Sequence, residues 1–447
     1  MANSYLTRTY GSAGNQRIFT ISFWFKRSNL ATGHFWTYQD ASGNARSDFS
    51  IVNDRIGINF NPTGSSWGSD LTIQENSTNI LFRDTNAWYH IVMAFDTTQS
   101  TEANRLKVYV NGVQKTMSGY PSQNFDTGYN TAIEHAVGTY AHSVGGNYFD
   151  GYISHFAVVD GQQLAPTVFG ETDSTSGIWK FKSPSGVTWG TNGFHLKFEN
   201  SGNLGLDSSG QTNNFTTNGN LKQALDSPSN VYATLNGAFN LSDNVLSYGN
   251  TKVVNANSNW KYVPATLGVE SGKWYAEYKV NKGSGYLMNG VVDMQYAVSQ
   301  DQNSYTHSGA GTGSVSIYSD SGEKYIAGSN TTYAGTYTDN DIIGVALDMD
   351  NAKVYFSKNG DWANGSGGWG SSTFDAAVGA ISLPTTGTYT FAVSQRSGAY
   401  NEVNFGNGLF GVTAISSAGS NGNGSLFEYD VPSGYYALNT KNINTYG

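Results

Sequence analysis

The segment Ile18-Phe19-Thr20-Ile21-Ser22-Phe23-Trp24-Phe25-Lys26 alternates β-branched or aromatic residues with small or polar ones. Successive side chains of a strand point to opposite faces, so this period of two reads as a half-buried strand. The device recurs. Trp88-Tyr89-His90-Ile91-Val92-Met93-Ala94-Phe95 is a second strand. Leu106-Lys107-Val108-Tyr109-Val110 sets Leu106, Val108 and Val110 on one face and Lys107 and Tyr109 on the other, which is a sandwich strand with one wet face. It ends at Asn111-Gly112, a hairpin dipeptide because both residues tolerate positive φ. Further on, Ile342 to Leu347 runs into the acidic turn Asp348-Met349-Asp350-Asn351, and Lys353-Val354-Tyr355-Phe356-Ser357 ends at Asn359-Gly360. No long helical period competes with these strands. Residues 167–171 and 416–424 have room for a turn or two of irregular structure. The expected fold class is all-β, as two tandem antiparallel β-sandwiches.

Composition supports the same reading and removes several function classes. Aromatics make up 14% of the 447 residues and 54 are Gly, whereas charged residues are 13%, about half the usual ~25%. Disordered chains are charged and poor in aromatics, and helical bundles need abundant Ala, Glu, Lys, Leu and Arg. The absence of cysteine excludes disulfides, thiolate catalysis and thiolate metal sites. A net charge of −9 argues against nucleic acid or an anionic membrane as partner, since both need clustered Lys and Arg. No stretch approaches 18 apolar residues, and the first ten residues lack a signal-peptide core. The expectation is a soluble protein made in the cytoplasm, without membrane insertion. Ser-Gly-Asn, Ser-Ser-Gly and Asn-Asn tracts interrupt the periodicity over residues 200–229, which divides the chain into domains at 1–224 and 225–447.

Several of these segments carry a resemblance. Residues 19–27, Trp88-Tyr89-His90-Ile91-Val92, residues 106–112 and Phe149-Asp150-Gly151-Tyr152-Ile153-Ser154-His155-Phe156 are similar to laminin-G-like, concanavalin A-type lectin jelly rolls. Phe169-Gly170-Glu171-Thr172-Asp173, Gly190-Thr191-Asn192-Gly193-Phe194-His195-Leu196 and Asp207-Ser208-Ser209-Gly210 resemble, more narrowly, virion proteins of marine tailed phages. In the second half, Ser271-Gly272-Lys273-Trp274-Tyr275-Ala276-Glu277-Tyr278, Ile343 to Asp348, Lys353 to Trp362 and the terminal Tyr436 to Asn442 look like a SPRY domain. The resemblance implies a jelly roll followed by a SPRY-like sandwich, folds that display loops for protein or glycan binding and have no chemistry of their own. The stretch from Ala437 to Asn442 is expected to close the second sandwich as a strand.

Catalytic patterns are missing. Lectin-type jelly rolls also host glucanases, whose carboxylates converge through a Glu-x-Asp-x-x-Glu-like spacing. The nearest match, Glu171-Thr172-Asp173, has Ser at position 176, and Glu171 reads as a turn cap. The seven histidines show no metal-site spacing with a nearby carboxylate, and no nucleophile elbow stands out. The expectation is therefore no enzyme and no catalytic residue. Calcium is the one cofactor the jelly-roll resemblance brings in, and the densest oxygen clusters are Asp339 with Asp341 and Asp348 with Asp350. Acidic turns between strands have the same composition. Trp36, Trp67, Trp362 and Trp369 lie among Gly, Ser, Asn and Asp, where a ring stacks on a sugar face or anchors a protein contact, or simply covers its own loop.

These readings converge on a virion structural protein of a tailed phage, in a fibre or adhesin role and recognising host-surface carbohydrate. Two alternatives stay open: a capsid or tail decoration protein that binds only other virion proteins, and a polysaccharide depolymerase. The expected partners are other virion proteins and host glycan, with the chain as a homo-oligomer or in many copies.

Overall fold

The structure is a computed structural model. It describes residues 4–40, 46–62, 71–140, 147–239, 244–299 (backbone alone for 297–299) and 312–447. The chain divides into two compact units, Met1–Gln223 and Ala224–Gly447.

In the first unit one hydrogen-bonded path runs through Phe194–Leu196, Gly151–Asp160, Ile18–Arg27, Tyr89–Asp96, Leu106–Val110 and Val113–Met117. It continues through Leu71–Glu75, Arg55–Asn61, Arg46–Val52, Gly33–Gln39, Glu134–Val137, Tyr5–Thr9 and Thr216–Asn218. The path doubles over on itself, so rings from its two halves meet face to face. Trp36 of Gly33–Gln39 stacks on Phe194 at 5.0 Å and on Phe156 at 5.4 Å, and Phe23 lies 4.9 Å from Phe35. Offset aromatic pairs of this kind add to the area they bury. The expected turn geometry is present, with Asn111 and Gly112 at φ 48° and 79°.

The strand Ile18–Arg27 departs from the expected single wet face. Phe19, Ile21, Phe23 and Phe25 face the core, but Thr20, Ser22, Trp24 and Lys26 on the other side are buried as well. The reason is tertiary. Residues 162–164 and a hairpin of Gly170–Thr172 with Trp179–Phe181 supply partners to that face: the Thr20 hydroxyl donates to the Gln162 carbonyl at 2.7 Å and accepts from the Leu164 amide at 2.8 Å. Leu106–Val110 keeps Lys107 and Tyr109 partly exposed over buried Leu106 and Val108, as its alternation requires.

The second unit is a sandwich of two sheets. One runs Asn244–Ser247, Lys252–Asn255, Tyr400–Asn404, Lys273–Asn281, Ile342–Asp348, Lys353–Lys358 and Asp361–Trp362. The other runs Lys261–Pro264, Tyr389–Arg396, Tyr286–Asp293, Ser314–Tyr318, Lys324–Ile326 and Ser329–Thr331. Trp274, Tyr278, Val345, Phe356, Val291, Ile317 and Phe391 form the core between them. Near the C-terminus only Tyr436–Ala437 is extended, pairing in parallel with Lys273–Asn281. Asn439 then caps a helix over Thr440–Tyr446 by accepting from the Asn442 amide, which replaces the expected closing strand. An Asn at the N-cap satisfies one of the backbone donors that the first helical turn leaves unpaired.

Candidate functional site

The sequence-derived tryptophans are placed differently from one another. Trp36, expected on a loop, sits inside Gly33–Gln39 and is 1% exposed. Phe35 beside it is buried as well, at an irregularity in the strand pairing between His34 and Trp36. Trp362 lies in Asp361–Trp362 and is buried in a small aromatic cluster, with Phe374 at 4.8 Å. Only Trp369 is partly exposed in a loop. Its Nε1–H donates to the Thr336 carbonyl at 3.3 Å, and the Lys358 ammonium lies 5.8 Å from its ring centre. Trp67 falls outside the described residues.

The four candidate calcium carboxylates each hold protein donors in turns or between neighbouring segments. Asp339 accepts from the amides of Lys282 and Gly283 at 2.6 and 2.8 Å. Asp341 accepts from the Thr338 amide at 2.8 Å and the Asn359 side chain at 2.7 Å. Asp348 accepts from the Asn351 amide at 3.0 Å and pairs with Lys273 at 3.1 Å, and Asp350 accepts from the Gly272 amide at 2.7 Å. Asx turns use carboxylate oxygens in this way to stand in for backbone acceptors. Among the described residues no group of three or more His, Asp or Glu gathers as a metal site. Asp173, not Glu171, caps its turn: it accepts from the amides of Thr175 and Ser176 at 3.0 and 2.9 Å. Those bonds and Lys180 hold its carboxyl well below the usual range.

A different arrangement of rings emerges on the outward side of the second unit's six-stranded sheet. Tyr286 is the cross-strand partner of Arg396, and Trp260 immediately precedes Lys261, the partner of Gln395. Tyr318 pairs with Met288, two residues along from Tyr286, and Tyr325 pairs with Ser316, two residues along from Tyr318. The period of two therefore puts Trp260, Arg396, Tyr286, Tyr318 and Tyr325 on one face, opposite the core residues Leu287, Val315 and Ile317. All five are partly exposed. Tyr286 and Tyr318 are 6.1 Å apart, as are Trp260 and Tyr318, and Tyr318 and Tyr325. The Arg396 guanidinium lies 4.9 Å from the Trp260 ring centre and 4.4 Å from that of Tyr286. Partial burial, with Asp320 close by, pushes the Tyr318 hydroxyl up to about 12. The five residues come from five consecutive strands, and their rings gather closely, since Trp260 and Tyr325 each lie 6.1 Å from Tyr318.

None of these five was singled out from sequence, although one signal was available. Trp260 follows Asn257-Ser258-Asn259, the same setting that drew attention to the other tryptophans. The tyrosines and Arg396 become neighbours only through strand register, which links positions more than a hundred residues apart.

In the first unit, His90, His155 and His195, from three separate strands, share the face under the 170–181 hairpin. Trp179 Nε1–H donates to His90 Nδ1 at 2.9 Å, so the proton of His90 sits on Nε2, which donates to the Ser22 hydroxyl at 2.8 Å. His155 stacks on Phe181 with centroids 3.5 Å apart, and His195 lies 5.6 Å from His155. Burial pushes His90 and His155 down to about 3 and His195 to about 4. No carboxylate joins the three among the described residues as a metal or proton-relay group. The cluster is neutral packing.

Comparison with known proteins agrees with this architecture. Residues 2–168 match the model of the concanavalin A-like lectin/glucanases superfamily, and residues 273–382 match that of the SPRY domain. The chain joins a lectin-like jelly roll to a SPRY domain. Among solved structures, the SPRY domain of human HERC1 aligns at 17% identity over 36% of this chain and 91% of its own, with a TM-score of 0.27. The PSpry domain of TRIM65 aligns at 14% identity over 38% and 91%, with a TM-score of 0.29. A heptameric SAP-like pentraxin from Limulus polyphemus aligns at 18% identity over 36% and 71%, with a TM-score of 0.26. No curated protein sequence matches. The lectin-like jelly roll and the SPRY domain support a carbohydrate- or protein-binding role.

Proposed function

We propose that this chain is a non-enzymatic surface protein of a tailed-phage virion that recognises host-surface glycan through its SPRY-like unit. The observation that carries the reading is the outward row of Trp260, Tyr286, Tyr318 and Tyr325 on a rigid sheet. Rings held on a scaffold lose little entropy on binding and pack against the C–H faces of sugars, while neighbouring hydroxyls and amides hold sugar oxygens. The phage setting rests on the resemblance carried by residues 169–173, 190–196 and 207–210.

The first unit suits docking onto other virion proteins. Its Arg27 donates to Asp54 at 2.9 Å, to the Phe82 carbonyl at 2.7 Å and to the Ala31 carbonyl at 3.1 Å, which draws three loops together. Leu30, Val52 and Leu81, in or next to those loops in sequence, are exposed and are the apolar side chains this docking would use. The protein is then made in the host cytoplasm and assembled on the particle in many copies.

Two measurements test this. Mass spectrometry and cryo-electron microscopy of purified particles should find the chain in ordered, repeated density, and its absence overturns the virion role. Purified protein should bind polysaccharide extracted from host cells, and Tyr286→Ala should abolish binding with the melting midpoint kept. Binding unaffected by that change, or no binding at all, overturns the glycan reading.

A further inference from the structure

Arg396 is held in an unusual state for a cation. Trp260 and Tyr286 flank its guanidinium at 4.9 and 4.4 Å, and ring faces stabilise such a charge. Neither ring contact gives the guanidinium N–H groups an oxygen acceptor. The structure gives them nothing else. Arg396 Nε is buried without a hydrogen-bond partner, and no carboxylate pairs with Arg396 among the described residues. The nearby acidic groups are already engaged. Asp320 pairs with Lys282 at 2.6 Å, and Glu323 accepts from Ser321 at 2.8 Å and Asn330 at 2.9 Å. In the other part-buried pairs of this unit a cation has its carboxylate, as Lys252 has Glu402 at 3.0 Å. Arg396 is oriented by two rings and lacks the anion its fork is shaped to bind.

We infer that the row binds an acidic polysaccharide, with Arg396 pairing to a carboxylate on a sugar and the rings packing against the sugars on either side. The inference rests on the glycan reading above and narrows it to a substrate class. The chain's net charge of −9 repels polyanions at large, so affinity for one must come from a local site rather than from diffuse attraction. The compact cluster of rings around Tyr318 provides for a short stretch of sugar, and a single cation beside it sets the position of one acidic group.

The test is affinity electrophoresis of the full chain through gels containing polygalacturonate or alginate (carboxylate), dextran sulfate (sulfate) or plain dextran (neutral). Retardation by a polyuronate and none by dextran is expected. Arg396→Gln should weaken it at least about tenfold, the loss of a charge-assisted bond pair, and Tyr325→Ala, at the exposed end of the row, should weaken it with folding kept. Retardation by dextran sulfate alone, lost in Arg396→Gln, moves the anion from carboxylate to sulfate and overturns the uronate assignment. Equal retardation by dextran, or an Arg396→Gln chain that binds like the parent, overturns the acidic class and leaves glycan recognition standing. No retardation by any of these or by host polysaccharide overturns both. If the same variants instead lose incorporation into particles, the row is a protein contact.

Discussion

Glu277 offers a stringent test of how the second unit is held together. It lies in the middle of Lys273–Asn281 with no exposed surface. Its two oxygens accept from the amides of Glu428 and Tyr429 at 2.8 and 2.9 Å, from the Tyr275 hydroxyl at 3.3 Å and from the Asn404 side chain at 3.4 Å. Burial outweighs these donors and pushes the carboxyl from 4.5 up to about 7. A folded-state value above the unfolded one means that the native state binds more protons in this window. The stabilisation is complete below 4.5 and is lost as pH rises through about 7. At 1.36 kcal/mol per unit, the loss is about 3 kcal/mol. Glu277→Gln keeps the shape, cannot ionise and accepts through one oxygen only, which costs about 1–3 kcal/mol independently of pH. The stability difference between parent and variant should therefore change by about 3 kcal/mol in the variant's favour from pH 4 to pH 8, while other titrating groups cancel. Hydrogen exchange of peptides covering residues 273–281 in the full chain reads this unit alone. A difference that is constant, or that moves in the parent's favour as pH rises, would show that the amide donors and not burial dominate the site.

Three further outcomes are expected. Trp36→Ala should cost about 3–5 kcal/mol by opening a cavity against Phe156 and Phe194, read as a lower melting midpoint of the first unit; a fully stable variant would show that the ring is not core. Arg27→Ala should cost about 1–3 kcal/mol by leaving the Phe82 and Ala31 carbonyls without their donor, while Asp54 keeps Arg83 at 2.8 Å, and no measurable loss in chemical denaturation would mean that the three loops hold together without it. The first unit should lose stability as pH falls from the ordinary histidine value of 6.5 toward about 3, because buried His90 and His155 stay neutral while the unfolded chain binds protons. A melting midpoint that does not move between pH 7 and pH 4 would contradict the neutral packing under the 170–181 hairpin.

Local chemistry determined the strands and their turns. The period of two in residues 18–26, 106–110 and 342–347 and the Asn-Gly pairs at 111–112 and 359–360 act over a few residues, so they can be read without knowing what lies opposite. The second faces of the strands, the fate of each tryptophan and the outward aromatic row depend on register and coverage instead. Ser22 bonds to His90 and Trp24 stacks on it, and a hairpin more than 140 residues later in the chain supplies Trp179 to cover that histidine. Trp36 is core because it sits within a sheet strand, whereas Trp369 is partly exposed because it lies in a loop. Trp260, Tyr286, Tyr318 and Arg396 become one surface only when four strands of the second unit lie side by side. Strand pairing is a long-range choice made by the whole hydrophobic core at once, and a one-residue slip would send Tyr286 and Arg396 to the opposite face.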